Sequence, residues 1–386
     1  HHGIDRPKSL KYYENLFKIK EQTIIISTYG MTVSGRKSRR KGGEYSSSLL
    51  QEIEWDRVVC DEIHILRNAK TKQSRAIREL NAKIVWGLTG TPVQNSIKDL
   101  KTLYECLKFP HHLTMDDRDL YADLNKQYIL RRTKDEVVDM VGEIPSLTVN
   151  NVEVPFRSTY ERKLYQKASD NLMKEMSSGK CDMLAILELY LRLRQTCIHP
   201  QVMLDGLANK FELTSEVWGE ISTKFQVIGE MMEKHRDEKT LIFCYFKKEM
   251  DILESYLADL GWDVFRIDGS KSMDERSEAI EMAKTNSQPT VMIIQIQAGA
   301  VGMNLQFASQ TYFTSPNWNP SVEIQAIART HRIGQTRPVT VTKLLIKEDD
   351  VIEDKIMETQ IIKREIMARV LDDHSLVDNG ETVSVV

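Results

Sequence analysis

Residues 57–95 read RVVCDEIHILRNAKTKQSRAIRELNAKIVWGLTGTPVQN, and this stretch decides the fold. Two apolar, β-branched runs, RVVC (57–60) and KIVWGL (83–88), have the composition of buried strands. The segment between them predicts a helix over residues 71–80. Strand, helix and strand in this order are typical of a parallel α/β sheet, so we expect the polar loops DEIH and TGTPVQN to share one sheet edge.

Two carboxylates directly follow the first of these strands, at Asp61 and Glu62. An acidic pair at the carboxyl end of a buried strand is where P-loop ATPases hold Mg²⁺ and position water. A strand that simply ends in a polar turn would explain one acidic residue, but it explains the series Asp-Glu-Ile-His less well. The pair therefore indicates a site of nucleotide hydrolysis.

A second alternation of strands and helices begins near residue 239. Apolar runs predict strands at residues 241–246, 264–267, 291–296, 311–314 and 339–346. One of the helices between them begins at the capping box Ser272 to Glu275. The series QAGAVGMNLQ (residues 297–306) consists largely of small residues, which let a backbone approach a ligand closely. Together with the first alternation, this pattern predicts two α/β lobes.

The stretch NPSVEIQAIARTHRIGQTRP (residues 319–338) predicts a helix with cationic side chains near its end. Pro320 suits a first helical turn because the N–H that it lacks would have no partner there. Arg329 and Arg332 are three residues apart, so on a helix they project from one face. Such a pair can neutralise charge on a transferring phosphoryl group. The alternative is a surface helix with two solvated arginines, and the acidic pair earlier in the chain argues against it.

Composition sets the outer limits of the interpretation. The chain has 386 residues, which suits two or more domains, and 41% of them are hydrophobic, enough for sizeable cores. A net charge of -3 means that any nucleic-acid binding comes from local basic patches. No apolar run approaches a membrane span and no secretory signal is visible, so we expect no membrane partner. The five cysteines are scattered without a C-x-x-C pair, which favours reduced thiols inside a cell and argues against a zinc module.

Other segments bear on domain organisation. The extended piece between Pro145 and Pro155 marks a candidate boundary, giving lobe 1 at 1–145 and lobe 2 at 146–386. Lobe 2 is expected to hold a helical insertion over about 156–220 and a C-terminal bracing helix over about 350–372.

Three shorter segments carry separate expectations. The run TIIIST (residues 23–28) predicts a buried strand. The basic stretch SGRKSRRKGG (residues 34–43) predicts a mobile surface loop, with nuclear localisation or phosphate contact as the alternatives. The series CIHP (residues 197–200) predicts packing and a helix stop before the proline, in preference to a metal ligand.

The motifs occur in a specific order: TYG, DEIH, TGTPVQN, LRRTKDEV, CIHP, LIFCYF, DGS, QAGAVGMNLQ, SPNWNP and QAIARTHRIGQ. This series, over residues 23–371, resembles the SWI/SNF-type ATPases of helicase superfamily two. The tail VTVTKLLIKEDDVIEDKI resembles the branch that holds the helicase-like transcription factor and the DNA-damage-tolerance translocases. Members of that branch often carry a RING zinc domain between the lobes, and the scattered cysteines do not support one here.

The resemblance implies two RecA-like lobes, with ATP and Mg²⁺ between them and double-stranded DNA across both. It implies an ATP-dependent DNA translocase that remodels chromatin or other DNA–protein complexes, with nucleosomes among its partners. A strand-separating helicase acting on RNA or DNA is less well supported, because the set ISTYG, LRRTK, CIHP and HRIGQ is typical of SWI/SNF-type motors. The expected location is the nucleus, or a viral replication site if the protein is encoded by a virus.

The resemblance also implies roles for individual residues. Asp61 would hold Mg²⁺ through water, Glu62 would activate the attacking water, and Arg329 and Arg332 would be arginine fingers. The nucleotide-binding set would be Gln325, Gly302 and Thr89, and the groups that couple the ATP site to DNA would be His64 and Thr91 together with Thr89. The DNA-phosphate contacts would be Thr28, Gly269, Ser270, Ala298 and Gly299. Trp318 resembles an aromatic residue of the family, and a packing role is at least as well supported for it.

One departure from the family is large. The phosphate-binding loop G-x-x-x-x-G-K-[ST] does not occur in this sequence, nor does the DNA-contacting motif that would follow it. Because the rest of the series is intact, we expect the loop to be encoded outside this sequence and not lost. The polypeptide as given is then expected to bind ATP poorly. The alternative is a non-catalytic DNA-binding or scaffold protein derived from such a motor.

Overall fold

The computed structural model divides the chain into two compact units. Unit 1 comprises residues 1–130 and 365–374, and unit 2 comprises residues 131–364 and 375–386. The division falls N-terminal to the boundary at residue 145 that the sequence suggests. The structure describes residues 9–19, 22–33, 48–94, 96, 98–110, 118–132, 136, 142, 144–177, 182–299, 302–373 and 382–385.

Unit 1 is built on strands β1 (Glu54–Cys60) and β2 (Asn81–Gly87), which pair in parallel. The helix Lys72–Glu79 connects them and begins at Thr71, whose side chain accepts a hydrogen bond from the Ser74 N–H. Apolar side chains on one face of the strands pack with Leu66, Ile77 and Leu103 in a buried core. The remaining helices and turns of unit 1 are Leu10–Ile19, Tyr29–Thr32, Leu49–Gln51, Ile63–Leu66, Lys98–Cys106 and Arg118–Tyr128.

The prediction of a buried strand at residues 23–28 is wrong. The segment belongs to no strand, and Ile24 and Ile26 are 91% and 82% exposed. A β-branched run becomes a buried strand only where a neighbouring strand and a covering layer accept it. Within the described part of unit 1 the sheet consists of β1 and β2, so this run has no place in it.

Unit 2 is built on one sheet of seven parallel strands, in the order β5-β6-β4-β7-β8-β3-β9. The strands are β3 (Leu147–Val154), β4 (Thr240–Cys244), β5 (Asp263–Ile267), β6 (Thr290–Gln295), β7 (Gln310–Phe313), β8 (Val339–Ile346) and β9 (Thr382–Val385). Strand β4 is buried along its whole length because helices cover both faces of a parallel sheet. The predicted fold class, α/β with parallel sheets flanked by helices, is confirmed.

Unit 2 also contains helices before, between and after the strands β4 to β8. The helices between β3 and β4 are Thr159–Ser177, Met183–Ile198, Pro200–Phe211 and Thr223–Glu233. The helices between β4 and β8 are Lys247–Asp259, Met273–Thr285, Ile296–Gly299 and Pro320–Ile327. The helix Ile352–Leu371 follows β8 and runs into the residues assigned to unit 1. The capping box at Ser272 is confirmed: its Oγ lies 3.3 Å from the Glu275 N–H nitrogen.

The helix stop at CIHP is confirmed as a packing feature. His199 ends the helix Met183–Ile198 and begins the helix Pro200–Phe211, where its Nδ1 accepts a hydrogen bond from the Gln201 N–H at 3.1 Å. The ring is 2% exposed and packs on Phe225, with ring centroids 5.2 Å apart. Burial lowers the pKa of His199 to about 4, so the ring is neutral at neutral pH.

A buried ion pair lies in the interior of unit 2. The ammonium group of Lys224 is 2.6 Å from Glu353 Oε1, and both side chains have no exposed surface. The same ammonium donates to the carbonyls of Thr314 and Leu344 at 2.7 and 2.9 Å. Glu353 Oε2 accepts from the Ile346 N–H at 2.7 Å. The pair therefore joins the helices Thr223–Glu233 and Ile352–Leu371 to strand ends of the sheet.

Replacement of Lys224 by methionine is expected to destabilise unit 2 by about 3–5 kcal/mol, because the carboxylate of Glu353 is left buried without its cation. The double variant Lys224→Met, Glu353→Leu should recover much of that loss. The control is Lys248→Met, which breaks a partly exposed pair with Asp205 (3.0 Å) and should cost no more than about 1 kcal/mol. Urea unfolding measures all three, and equal stabilities for the two lysine variants would contradict the assignment.

Several sequence predictions fall outside the described residues. They include the basic stretch 34–43, residues 133–135 and 137 of the LRRTKDEV series, Ala300 with Val301, and Cys181. The cysteines at 60, 106, 197 and 244 are buried free thiols. Across the part of the chain that the structure describes, none of the helices combines the length and the apolar character that a membrane crossing requires.

Candidate functional site

The two polar loops of unit 1 meet because the parallel strands β1 and β2 end side by side. Cys60 pairs with Gly87 in the register of the sheet. Beyond that pair, the Leu88 N–H donates to the Cys60 carbonyl at 2.8 Å, and the Ile63 N–H donates to the Leu88 carbonyl at 3.0 Å. These bonds bring the loops DEIH and TGTPVQN together at the carboxyl edge of the sheet, as the sequence predicts.

Glu62 has a backbone conformation that its residue type adopts rarely. Its φ of 47° and ψ of 49° place it in the left-handed region. A residue with a Cβ in this region costs about 1–3 kcal/mol, and such strain is concentrated at functional sites. The neighbouring bonds of Ile63 and Asp61 compensate for it, since the Glu62 N–H donates to Asp61 Oδ1 at 3.0 Å. The turn thus holds the Glu62 side chain in one direction.

His64 and Thr89 connect the acidic turn to the second loop. His64 Nδ1 lies 2.9 Å from Thr89 Oγ1 and 3.2 Å from Glu62 Oε2. Burial lowers the pKa of His64, and the Glu62 carboxylate only partly opposes this shift, so the imidazole is neutral at neutral pH. Thr89 Oγ1 also accepts from the N–H of Thr91, a residue that is 2% exposed. One chain of polar contacts therefore links Glu62, His64, Thr89 and Thr91.

Asp61 is the residue of this site that fits Mg²⁺. It is exposed, and its Oδ1 accepts a hydrogen bond from the Glu62 N–H. Among the described residues there is no group of three His, Cys, Asp or Glu side chains that could hold a metal ion. A single carboxylate matches Mg²⁺, which takes one or two carboxylates and completes its shell with water and phosphate oxygens.

Two of the predicted DNA-contacting segments of unit 2 lie beside one another. The Gly269 N–H donates to Gln295 Oε1 at 3.1 Å, which joins the turn after β5 to the end of β6. The Arg276 guanidinium donates to the carbonyls of Asp268 (3.2 Å) and Ala298 (3.5 Å). Gly269 and Ser270 are exposed, whereas the Ala298 side chain is 6% exposed. Ala298 and Gly299, in the short helix Ile296–Gly299, thus offer a ligand mainly their backbone.

Arg276 is a residue of this region that the sequence analysis overlooked. It lies one position after the capping box of the helix Met273–Thr285, a spacing that could have drawn attention to it. Asp268, whose carbonyl it contacts, is 4% exposed. Burial alone would raise the pKa of that carboxyl, but hydrogen bonds from Ser270 and the Arg266 guanidinium lower it to about 2. Hydrogen bonds from Arg266 and Arg276 to Asp268 therefore hold the turn Asp268 to Ser270 in place.

The two candidate finger arginines do not lie on a helix, which corrects the sequence prediction. The helix begins at Asn319, whose side chain accepts from the Ser321 N–H, and it ends at Ile327. Arg329 and Arg332 follow in a series of turns, in which the Leu305 N–H donates to the Arg329 carbonyl at 3.1 Å. Arg332 is exposed and Arg329 is half-buried. The bond to Leu305 draws this segment away from the helical path.

The turn after Arg332 is held by a buried glutamine. Gln335 Nε2 donates to the carbonyls of Gln306, Ala308 and Thr330 at 3.0, 3.2 and 3.2 Å. Gly334 has a φ of +94°, and a Cβ there would lie 3.1 Å from Gln306 Nε2, so the position requires glycine. Gly334 and Gln335 therefore form a fixed turn, and the Gln335 N–H donates to the Arg332 carbonyl at 3.0 Å.

The remaining candidates of unit 2 are Gly302, Gln325 and Trp318. Gly302 has a φ of +55° and is exposed, and a Cβ there would meet nothing within 4 Å. Gln325 is half-buried on the helix Pro320–Ile327. Trp318 packs edge-on against Tyr190, with ring centroids 6.3 Å apart, which favours the packing role.

The predicted site residues are divided between the two units. Unit 1 holds Asp61, Glu62, His64, Thr89 and Thr91 around the ends of β1 and β2, and exposes Thr28 at the start of a short helix. Unit 2 holds Gly269, Ser270, Ala298, Gly299, Gly302, Gln325, Arg329 and Arg332. Chemically, the first group offers a carboxylate for a hydrated cation and another for a water, and the second offers backbone N–H groups and guanidinium groups for phosphate.

Comparison with known proteins identifies the family. Residues 5–202, just over half of the chain, match the SNF2-related domain, and residues 223–334 match the helicase conserved C-terminal domain. The C-terminal part of the Fun30 ATPase domain aligns with 60% of this chain and 99% of its own, at 19% identity and a TM-score of 0.48.

Full-length relatives come from several organisms. The human SWI/SNF-related matrix-associated actin-dependent regulator of chromatin subfamily A member 1 is 30% identical over 86% of this chain and 32% of its own length. The DNA repair protein RAD5B of Arabidopsis thaliana is 26% identical over 90% of this chain and 36% of its own. The helicase-like transcription factor of Mus musculus is 26% identical over 86% and 44%. The chain spans less than half the length of these relatives, and it belongs to the SNF2-related family of superfamily-two ATPases.

Proposed function

We propose that this chain forms the motor part of an ATP-dependent, double-stranded DNA translocase of SWI/SNF type, which remodels chromatin or other DNA–protein complexes. The observation that carries the proposal is the turn at Glu62. A glutamate held in the left-handed region at the carboxyl end of a parallel strand, beside an exposed Asp61, suits a group that must orient one water molecule.

The roles of the unit 1 residues follow from their positions. Asp61 would contact Mg²⁺ through water, and the ion would neutralise charge on the phosphates of ATP. Glu62 would accept a proton from the attacking water, and His64, neutral and 3.2 Å away, would keep its carboxylate in place. Thr89 would bind near the nucleotide, and together with His64 and Thr91 it would couple the ATP site to the DNA-binding groups.

The roles of the unit 2 residues complete the reaction. Arg329 and Arg332 would stabilise the charge that develops as the phosphoryl group is transferred, and Gln325 and Gly302 would contact the nucleotide. Because these residues and Glu62 belong to different units, hydrolysis would depend on groups from both units. We assign the ATPase lobes to 1–145 and 146–386, with the helices of 156–220 as an insertion and the helix Ile352–Leu371 as a brace.

Duplex DNA would be bound through its phosphates. The proposed contacts are Thr28 in unit 1, the exposed turn Gly269 and Ser270, and the backbone of Ala298 and Gly299. Nucleosomes are the partner that the chromatin-directed relatives suggest, and the proposed location is the nucleus, or a viral replication site if a virus encodes the protein.

The binding of duplex DNA is expected to be nearly independent of sequence and to weaken steeply with salt, because contacts to phosphates release counterions. Fluorescence anisotropy with two unrelated duplexes of equal length, titrated at a series of salt concentrations, measures both properties. Equal affinities and parallel salt slopes are the expected result. A strong preference for one duplex, kept at every salt concentration, would contradict phosphate-based binding.

A second function, a non-catalytic DNA-binding or scaffold protein, is favoured by one observation. The series G-x-x-x-x-G-K-[ST], which cradles nucleotide phosphates in the family, does not occur in these 386 residues. The two functions differ in their response to ATP. Binding of a fluorescent ATP analogue by the full-length protein, and its hydrolysis in the presence of DNA, would support the motor, whereas DNA binding with neither property would support the scaffold.

A further inference from the structure

The hydroxyl of Tyr29 contacts the acidic turn directly. It donates to the backbone carbonyl of Asp61, with 2.6 Å between the oxygen atoms. The ring is half-buried and packs against the core of unit 1. Burial raises the pKa of Tyr29, so the phenol keeps its proton and remains a donor at neutral pH.

This hydrogen bond completes the fixation of one peptide group. The carbonyl of the peptide between Asp61 and Glu62 accepts from Tyr29, and its N–H donates to Asp61 Oδ1. With Glu62 in the left-handed region, the orientation of this peptide sets the direction in which the Glu62 side chain points. Tyr29 therefore acts on Glu62 through the backbone and does not touch the reacting atoms.

Tyr29 also belongs to the element that exposes Thr28. The short helix Tyr29–Thr32 begins after Thr28, and the Met31 N–H donates to the Thr28 carbonyl at 2.9 Å. Thr32 Oγ1 donates to the Tyr29 carbonyl at 2.7 Å, and Ser48 Oγ donates to the Met31 carbonyl at 3.0 Å. These hydrogen bonds hold residues 28–32 together as one element. Thr28 lies at its surface, and the Tyr29 hydroxyl contacts the acidic turn.

We propose that Tyr29 is a positioning residue that passes the binding of duplex DNA at Thr28 to the side chain of Glu62. The proposal rests on the proposed DNA-dependent ATPase. DNA held at Thr28 would fix the element, the Tyr29 hydroxyl would then fix the peptide between Asp61 and Glu62, and Glu62 would be held in the orientation that accepts a proton from water. A tyrosine that served only to fill the core would be replaced equally well by phenylalanine.

The first test measures the turn itself by amide hydrogen exchange of the full-length protein. Tyr29→Phe keeps the ring and removes the hydroxyl, and it should raise the exchange rate at residues 61–66 about fivefold, the equivalent of one hydrogen bond. Tyr104→Phe is the matched control, because it removes a hydroxyl hydrogen bond of the same 2.6 Å length elsewhere in unit 1, to Asn125 Oδ1. It should leave exchange at residues 61–66 unchanged.

The second test repeats the exchange measurement with a saturating concentration of duplex DNA and adds steady-state kinetics. In the wild-type protein, DNA should slow exchange at residues 61–66, whereas in Tyr29→Phe DNA should bind with the same Kd and leave that exchange unslowed. DNA-stimulated kcat should fall about fivefold with KM for ATP unchanged.

The outcomes separate the inference from the proposed function. Wild-type protein that neither binds DNA nor hydrolyses ATP would contradict the proposed function. Tyr29→Phe that matches the wild type in exchange at residues 61–66 and in kcat would overturn the inference and leave the proposed function intact. A loss of kcat accompanied by an equal loss of DNA affinity would also overturn it, since Tyr29 would then act in binding and not in positioning.

Discussion

Replacement of Glu62 by glutamine is expected to reduce ATP turnover of the full-length protein to near zero, by about 10²–10⁴-fold, while ATP still binds. The amide cannot accept a proton from water, yet it has nearly the same shape as the carboxylate. The left-handed backbone at Glu62 is kept by the bonds of Asp61 and Ile63, which the substitution does not touch. Turnover is measured by phosphate release with duplex DNA, and ATP binding by a fluorescent analogue.

The matched control for this prediction is Glu54→Gln. Glu54 lies at the other end of β1, is 65% exposed and faces Lys83 at 3.9 Å. Its replacement by glutamine should leave turnover unchanged. Hydrolysis at the wild-type rate by the Glu62 variant would remove Glu62 from the mechanism.

Replacement of Arg332 by alanine is expected to lower the DNA-stimulated ATPase rate by about 10³–10⁵-fold, the contribution of an arginine finger in other phosphoryl-transfer enzymes. Its charge is useful mainly in the transition state, so DNA affinity and folding should change little. The structure supports this separation, because Arg332 is exposed while its carbonyl accepts hydrogen bonds from the Gln335 N–H at 3.0 Å and from Gln306 Nε2 at 3.5 Å. Steady-state kinetics and thermal unfolding on one preparation measure both properties.

Two further variants sharpen the test. Arg332→Lys should restore little of the rate, because an ammonium group lacks the planar fork of a guanidinium. Arg337→Ala removes an exposed arginine from the same segment and should leave the rate unchanged. If Arg332→Ala instead lowers the melting temperature and keeps the turnover per folded molecule, the arginine merely braces the segment, and its catalytic role is refuted.

The sequence predicted the sheets well where strands are buried on both faces. Strands β4 and β6 consist mainly of apolar residues, and such runs indicate a strand that is buried on both faces. It failed where a strand depends on its neighbours. Residues 23–28 have the composition of a strand and form none, whereas Leu147–Val154, read as a boundary piece, is β3 and pairs with β8 and β9. Pairing of this kind is decided by tertiary contacts that the local sequence does not contain.

The candidate site was predictable in its residues but not in its geometry. The order of the motifs placed Asp61 and Glu62 after a strand, and the structure confirms this placement. The left-handed conformation of Glu62 was not predictable, because it depends on the bond between Ile63 and Leu88, two residues far apart in sequence. The end of the arginine helix at Ile327 escaped prediction for the same reason, since the Leu305 N–H captures the Arg329 carbonyl.

The most direct test of the motor is the rate of ATP hydrolysis by the full-length protein as duplex DNA is added. We expect a rate that rises with DNA, saturates, and is lost in the Glu62→Gln variant although that variant binds the same DNA. A wild-type protein that binds duplex DNA at the same concentrations and shows no hydrolysis would contradict it.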